Sequence, residues 1–218
     1  MVLIGVGVVA ALAMAVATGV SDPFDQAVID LVRSDALDPI LQPLRQVTEL
    51  GATGTVTAVA VFALVAGILA GRPRLGGGAA LTIVLASLGN SLLKLGFARA
   101  RPDLLDPIVV AHGYSFPSGH SVLSMVAYGV VAVAIWRAPI ARWARWAAVA
   151  LVALVILAVG VSRIWLGVHY PTDVLAGWTL GGVVVLAFAR LSRGSRSPAE
   201  AAAVADRAAQ RSDPPAPG

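Results

Sequence analysis

Long apolar runs, each about as long as a bilayer-spanning helix, dominate the chain. Six of them cover residues 2–20, 54–71, 79–98, 118–136, 147–164 and 171–189. A helix of roughly 20 apolar residues crosses the hydrocarbon core of a membrane. The first run has no basic start and no clear small-residue cleavage site, so we interpret it as a retained span rather than a secretory signal. The pattern predicts an all-α integral membrane protein, built as a six-transmembrane-helix bundle.

Residues 21–52 form the longest polar interruption, and their apolar positions follow a helical period. Ser21-Asp22-Pro23 is typical of a helix start. Apolar residues then recur on one helical face, with Asp25 and Asp30 away from it: Phe24, Val28, Leu31 and Val32. A second amphipathic piece carries Ile40, Leu41, Leu44, Val47 and Leu50. We interpret the segment as a pair of short external helices lying on the bilayer interface. The alternative is a lid that shapes an entrance for a lipid headgroup.

The composition changes after Leu191. Ser197-Pro198-Ala199-Glu200 has the form of a capping box before an alanine-rich stretch, and the last six residues contain three prolines. We therefore predict one membrane domain, residues 1–190, followed by a disordered cytoplasmic tail, residues 191–218.

The overall composition agrees with a membrane protein. Hydrophobic residues make up 58% of the chain and charged residues 13%, which excludes a disordered protein and argues against an ordinary soluble domain. Cysteine is absent, so disulfide and thiol chemistry are excluded. The net charge is +4, but no basic and aromatic stripe accompanies it, so we expect no nucleic-acid partner. The sequence does not indicate an oligomeric state.

The distribution of basic residues predicts the orientation in the membrane. With six spans both termini lie on one side, and that side carries ten of the sixteen lysines and arginines. By the positive-inside rule it is the cytoplasmic side of the plasma membrane. Lys94, Arg101 and Arg163 belong to the minority side. We therefore expect their neighbourhoods to face outward together, at one membrane surface.

Three short polar clusters interrupt this apolar chain. They are Lys94 to Arg101-Pro102, Pro117-Ser118-Gly119-His120, and Ser162-Arg163 leading to His169 and Asp173. Charges in a membrane protein are costly unless they are paired or functional. The cations of these clusters outnumber the carboxylates near them, which indicates an anion that binds and leaves. The residue types suit a phosphate.

Pro117-Ser118-Gly119-His120 stands where an external loop becomes the fourth span. A proline at a first helical position would leave the amides of Ser118, Gly119 and His120 without intrahelical acceptors, at the positive end of the helix dipole. Glycine allows close approach of an oxygen to the backbone. A plain helix cap would explain Pro117 and Ser118 equally well. His120 favours the anion site, because an imidazole there can donate a proton to a leaving oxygen.

His169 and Asp173 are four residues apart, with Pro171 at a plausible helix start between them. A carboxylate that holds one imidazole nitrogen fixes the tautomer and leaves the other nitrogen able to attack. A structural hydrogen bond at the interface is the alternative for a lone histidine. Arg163, six residues earlier, and a second histidine in the chain favour chemistry.

In the first cluster, Arg101 offers a planar fork for two phosphate oxygens and Lys94 offers a point charge. Lys94 could instead extend to the interface from the end of the third span. We interpret Arg99 as a headgroup or solvent contact, and we favour a loop role for His112 over a chemical one.

A metal site is the main rival for these side chains. His169 and Asp173 have ligand-like spacing. However, a divalent cation would share its pocket with Lys94, Arg101 and Arg163, which is unfavourable unless an anionic substrate binds first. We therefore predict no metal and no cofactor.

The three clusters together resemble the three-part motif of the type 2 phosphatidic acid phosphatase superfamily. The lysine, six residues and Arg-Pro; the Pro-Ser-Gly-His; and the Ser-Arg, five residues, His, three residues and Asp match it in order and spacing. The resemblance covers residues from about 50 to 190. The family includes integral-membrane lipid phosphatases with six spans, and soluble vanadium-dependent haloperoxidases and acid phosphatases.

The resemblance implies a metal-independent phosphatase that works through a phosphohistidine. By position, His169 is implied as the nucleophile, Asp173 as its orienting partner and His120 as the acid for the leaving group. The implied ligands of the phosphate oxygens are Lys94, Arg101, Ser118, Gly119 and Arg163.

The expected substrate is a phosphorylated lipid anchored in the bilayer. Polyprenyl diphosphate, phosphatidic acid and phosphatidylglycerol phosphate all fit, because the motifs read only the terminal phosphate. A phosphotransferase, in which a lipid hydroxyl replaces water in the second step, is a close rival. A transporter that binds lipid or anion without reaction, and a haloperoxidase, are weaker alternatives.

Overall fold

All regular structure in the described part of the chain is helical. The computed structural model describes residues 1–32, 38–102 and 111–194. The helices are α1 (Val2–Ala17), α2 (Asp22–Val32), α3 (Asp38–Glu49), α4 (Thr53–Leu69), α5 (Pro73–Phe97), α6 (Gly119–Arg137), α7 (Arg142–Trp165) and α8 (Pro171–Leu191), with a 3₁₀ turn at Ser192–Gly194. The all-α prediction is confirmed, and the predicted tail lies almost wholly outside the described residues.

Five helical segments are long and apolar enough to cross a membrane, and six if a bent pair counts as one span. The five are Gln42–Leu69, Pro73–Phe97, Gly119–Arg137, Arg142–Trp165 and Pro171–Leu191. The bent pair is α1 with α2, which meet at 83°. Gly19, with φ of +74°, lies in the turn between them and adopts a backbone conformation that glycine accepts without strain. The protein is therefore a multi-span membrane protein, and its second span begins earlier than predicted, inside α3.

The exposed side chains of the spans are largely apolar, as contact with lipid requires. Phe62, Leu69, Leu85, Leu92 and Leu154 are examples from three different helices, each more than half exposed. Apolar patches of this extent on a folded protein mark a membrane or a partner surface.

The centre of the bundle is α6, which packs against α4, α5, α7 and α8. Val122 and Val126 on α6 join Val56 of α4 and Ile83 of α5 in one buried cluster. α6 and α8 approach closely at Gly177, where an added Cβ would lie 2.8 Å from the Ser121 Cβ and 2.9 Å from the Ser118 carbonyl oxygen. Small residues allow such backbone contact between membrane helices. This contact brings the start of α6 beside the start of α8.

We expect Gly177→Ala to separate these two helix starts. The added methyl has no room against backbone, and overpacking of this kind costs about 1–3 kcal/mol. The melting temperature in detergent and kcat should both fall. Gly182→Ala, on the same helix with no atom within 4 Å of its Cβ, is the matched control and should be neutral or stabilising. Equal stability of the two variants would contradict the prediction.

The apolar face of α2 is exposed, as a helix that lies on the bilayer interface requires. Asp25 and Ile29 are its buried residues, whereas Phe24 is 54% and Leu31 73% exposed. α2 packs against α7 and α8, and α3 packs against α7. Hydrogen bonds, described below, hold the polar Asp25 inside the protein, which the sequence pattern did not indicate.

Candidate active site

The three polar clusters meet at one end of the helical bundle. A cavity of about 660 Å³ opens there between the end of α5, the start of α6, the end of α7 and the loop before α8. Six of the eight predicted site residues line it: Lys94, Arg101, Gly119, His120, Arg163 and His169. The other two, Ser118 and Asp173, are fully buried next to it. The structure thus brings the three clusters together around one cavity, which further residues from α3 and its neighbourhood also line.

His169 is held between a carboxylate and an arginine. Its Nδ1 lies 3.3 Å from Asp173 Oδ2, and its Nε2 lies 3.2 Å from Arg101 Nη1. Because a guanidinium only donates hydrogen bonds, Nε2 must accept, so the ring proton is on Nδ1 and points to Asp173. Burial lowers the pKa of His169 to about 4, although Asp173 acts to raise it. The neutral imidazole thus presents a lone pair on Nε2 towards the cavity over the physiological pH range.

The start of α8 holds Asp173 in place. Pro171 is the first residue of the helix, as predicted, and the Tyr170 amide donates to Asp173 Oδ2 at 3.0 Å. This bond satisfies an amide that has no partner within the helix. The carboxylate oxygen that faces His169 is therefore fixed by the helix cap as well.

Arg163 is a buried cation with spare donors. Its side chain donates through Nη1 to Thr48 Oγ1 at 2.8 Å, and its buried Nε has no hydrogen-bond partner among the described residues. A buried donor without a partner is unusual and costly. Its position on the cavity wall suits an anionic ligand.

Lys94 and Arg101 contact backbone carbonyl groups rather than carboxylates. Lys94 Nζ donates to the Tyr114 and Ser115 oxygens. Arg101 donates to the carbonyl oxygens of His112, Gly113, Tyr114 and Val168. Within the described ranges, none of Lys94, Arg101 and Arg163 forms an ion pair with a carboxylate. The cavity therefore carries positive charge that an anion can neutralise.

The start of α6 differs in part from the prediction. The helix begins at Gly119, so Pro117 precedes it, and the Ser118 amide is not available because it donates to the Asp173 carbonyl oxygen at 3.0 Å. Ser118 Oγ accepts from Ser121. The amides of Gly119 and His120 have no backbone acceptor in the described part of the chain. Ser118 thus joins α6 to α8, and the open amides at the helix start belong to the next two residues.

The interpretation of Arg99 as a headgroup or solvent contact is wrong. Its side chain is only 11% exposed and forms ion pairs with Asp173 at 2.7 Å and Asp25 at 2.8 Å. Its guanidinium also lies 4.2 Å from the centre of the Tyr170 ring. Sequence reasoning missed Asp25 altogether. The rule that intramembrane charges need partners, applied here only to the cations, would have singled it out.

Two further residues shape the cavity without having been singled out for chemistry. Gly51 follows α3, and a Cβ there would lie 3.1 Å from His120 Cδ2, so the backbone packs directly on that imidazole. His112 lines the cavity, and its backbone oxygen accepts a hydrogen bond from Arg101. No group of three or more side chains able to hold a metal ion is found within residues 1–32, 38–102 and 111–194.

Comparisons with known proteins identify the family of this chain. Residues 75–197 match the family model of the PAP2 superfamily. Phosphatidylglycerophosphatase B of Bacillus subtilis is 38% identical over 93 residues, which are 42% of this chain and 45% of the relative. Undecaprenyl-diphosphatase of Sulfolobus acidocaldarius is 30% identical over 106 residues, 46% of this chain and 47% of the relative. The alignments thus span less than half of each relative's length.

Solved structures extend the likeness to the whole bundle. The crystal structure of a transmembrane PAP2-type phosphatidylglycerolphosphate phosphatase from Bacillus subtilis superposes with a TM-score of 0.81 at 26% identity, covering 89% of this chain and 97% of that one. LpxE of Aquifex aeolicus shares the fold, with a TM-score of 0.58 at 21% identity over 77% of this chain and 95% of that one. On the strength of the matched family model, which covers more than half of the sequence, this chain belongs to the PAP2 superfamily.

Proposed function

We propose that this protein hydrolyses the terminal phosphate of a membrane lipid phosphate or diphosphate, without a metal, through a phosphohistidine on His169. The observation that carries the proposal is the tautomer and the orientation of the His169 ring. Its Nδ1 proton is directed to Asp173, and its Nε2 lone pair faces the cavity. Lys94, Arg101 and Arg163 around that cavity form no ion pair with a carboxylate in the described part of the chain. Phosphoryl transfer needs mainly positioning and stabilisation of charge on the equatorial oxygens, and this arrangement supplies both.

The first step transfers the phosphoryl group to the enzyme. Arg101 turns from Nε2 to a phosphate oxygen, and Lys94, Arg163 and the amides at the start of α6 bind the others. Nε2 attacks phosphorus, and the bond to the leaving oxygen breaks as His120 donates a proton to it. Asp173 stabilises the positive charge that His169 acquires.

The second step releases phosphate. His120, now neutral, takes a proton from water, and the resulting hydroxide attacks phosphorus. The bond from phosphorus to Nε2 breaks, and His169 returns to its neutral form. The two histidines therefore begin the cycle in opposite protonation states, which requires different surroundings. Asp173 contacts only His169 of the two, which fixes the tautomer of the attacking ring and leaves His120 to exchange a proton with the leaving oxygen and water.

A lipid substrate follows from the location of the cavity. It opens at one end of a bundle whose sides are apolar, so a substrate anchored in the bilayer can present its phosphate there. The names of the similar proteins, phosphatidylglycerophosphatase B and undecaprenyl-diphosphatase, support phosphatidylglycerol phosphate and polyprenyl diphosphate as candidates beside phosphatidic acid. Arg45, Thr48 and Glu49 of α3 also line the cavity, so we assign headgroup selection to this helix. We place the site on the extracytoplasmic face, with both termini cytoplasmic, from the bias of the basic residues.

A panel assay in detergent tests the reaction class. Purified protein with a chelator present should release inorganic phosphate from at least one of these three lipids without an added acceptor. Phosphate that appears only when a lipid alcohol is supplied would indicate a phosphotransferase. Lipid binding without turnover would indicate a transporter, and activity restored by one divalent ion would indicate a metal site.

The intermediate can be tested separately with p-nitrophenyl phosphate. Its leaving group needs no proton, so His120→Ala should still form the phosphoenzyme but should hydrolyse it slowly. We expect a burst of about one nitrophenolate per enzyme and an acid-labile phosphoryl label on the protein. The double variant that also carries His169→Ala should give neither. A burst that persists in the double variant would remove His169 as the nucleophile.

A further inference from the structure

Arg99 lies between two buried carboxylates, behind the histidine that lines the cavity. Its Nη1 donates to Asp173 Oδ1 at 2.7 Å, and its Nη2 donates to Asp25 Oδ2 at 2.8 Å. Both aspartates are fully buried. A guanidinium is a planar fork, so fixing one arm on Asp25 sets the direction of the other arm towards Asp173.

Asp25 also holds the start of α8. Its Oδ1 accepts the Thr172 amide at 3.0 Å, and its Oδ2 accepts the Thr172 hydroxyl at 2.6 Å. Asp25 thus satisfies an amide that is open at this helix start, from a different helix. Thr172 Oγ1 in turn accepts from Arg99 Nη1 at 2.9 Å. Three residues from α2, from the loop after α5 and from α8 therefore form one closed network.

The network continues into the proposed nucleophile. The two oxygens of Asp173 have separate tasks, because Oδ1 pairs with Arg99 while Oδ2 faces His169 Nδ1. Rotation of this carboxylate would break both contacts at once. A buried charge network adds little net stability compared with apolar packing, so stability alone does not account for it.

We propose that Asp25 and Arg99 are positioning residues for the reaction, which hold Asp173 in the orientation that fixes the His169 tautomer. This inference rests on the proposed function of His169. Arg101, only two residues after Arg99, lines the cavity, whereas neither Asp25 nor Arg99 does so. The two arginines of this loop thus have different tasks. Arg101 faces the phosphate, whereas Arg99 holds the carboxylate of Asp173, which in turn holds His169.

The charges of Asp25 and Arg99 should affect the pKa of His169, which a purely structural role would not require. Charged and titratable groups surround His169 on several elements. Asp173 lies on α8, Arg101 in the loop after α5, Lys94 on α5 and His120 on α6. The cavity wall adds Arg45, Glu49, His112 and Arg163, and Tyr170 contacts Arg99. Behind Asp173 lie Arg99, Asp25 and the exposed Asp22, whose Oδ1 is 3.5 Å from Arg99 Nη2.

Removal of either charge behind Asp173 should shift the pKa of His169, in opposite directions. Without Arg99 a cation is lost, the imidazolium is favoured and the pKa of His169 rises. Without Asp25 an anion is lost and the pKa of His169 falls. The attacking form is the neutral one, so the acidic limb of kcat/KM should move to higher pH in the first case and to lower pH in the second. Ionisation of the substrate is common to all variants and does not affect the difference.

The test compares Arg99→Gln, Asp25→Asn and the control Asp30→Asn in the full-length protein. Asp30 is on the same helix, undergoes the same charge change and accepts from Gln26. We expect kcat to fall about 10- to 100-fold in the first two variants, as when outer partners of a functional histidine are removed, with KM unchanged. The dissociation constant for inorganic phosphate should also be unchanged, and the acidic limbs should shift in opposite directions. Arg99→Lys should restore the position of the limb more fully than kcat.

Several results would overturn this inference. One is a wild-type kcat and a wild-type pH profile in both Arg99→Gln and Asp25→Asn. Another is a loss of phosphate binding that matches the loss of activity, because it indicates a merely structural role. If Asp25→Asn does not fold, Thr172→Val removes the hydroxyl between Asp25 and Arg99 without a charge change, and an unchanged kcat in that variant would also overturn it. An inactive His169→Ala with normal Asp25 and Arg99 variants would reject this inference alone, whereas an active His169→Ala would reject the proposed function as well.

Discussion

His169→Ala should abolish release of phosphate from every lipid in the panel, with kcat lowered by at least about 10⁴-fold. The physical reason is the loss of the Nε2 lone pair that faces the cavity, for which no neighbouring side chain can substitute. His120 lines the same cavity, but Asp173 does not hold its ring. The measurement is phosphate release under saturating substrate in detergent.

His112→Ala is the matched control, because His112 lines the same cavity but its hydrogen bond to Arg101 uses the backbone. This variant should keep most of the activity. A variant can lose activity because phosphate no longer binds in the cavity or because phosphoryl transfer fails. Both variants should therefore be assayed for binding of inorganic phosphate. Turnover by His169→Ala within tenfold of the wild type would show that the proposed nucleophile is wrong.

Asp173→Asn should lower kcat by about 10³- to 10⁴-fold, since an amide in this place can favour the wrong imidazole tautomer. With its Nδ2 directed to the ring, the amide donates to Nδ1 and moves the ring proton to Nε2, which then cannot attack. Removal of the carboxylate charge also lowers the pKa of His169 further, so the acidic limb should move to lower pH while the plateau falls.

The same substitution disturbs three other contacts of Asp173, with Arg99, the Tyr170 amide and, through its backbone, Ser118. The melting temperature therefore has to be measured beside kcat, so that a loss of folding is separated from a loss of chemistry. A kcat close to that of the wild type, in a folded protein, would contradict the role of Asp173 in fixing the tautomer.

The spans and the members of the cavity were predictable because both are local properties of the chain. A run of apolar residues needs no partner to indicate a bilayer, and motif cations in such a chain indicate a polar site wherever they meet. Lys94, Arg101, His120, Arg163 and His169 were identified in this way, and all five line one cavity. The start of α8 at Pro171 was likewise readable from a local signal.

Other predictions failed because their outcome depends on contacts between distant segments. Arg99 was interpreted as a headgroup or solvent contact, yet it is buried against Asp25 and Asp173, each of which lies 74 residues away along the chain. The Ser118 amide was expected to be open, but the close approach of α6 and α8 at Gly177 brings it to the Asp173 carbonyl oxygen.

The sequence by itself thus determined that the chain enters a membrane and which polar side chains are candidates for binding a phosphate. Only the tertiary structure decided which of those side chains face the cavity and which support them from behind. The physical reason is that burial and hydrogen bonding of a polar group depend on the donors and acceptors that packing brings to it. Arg99 and Arg101 differ by two positions and share one chemistry, and their separate tasks are set by the partners that α2 and α8 provide.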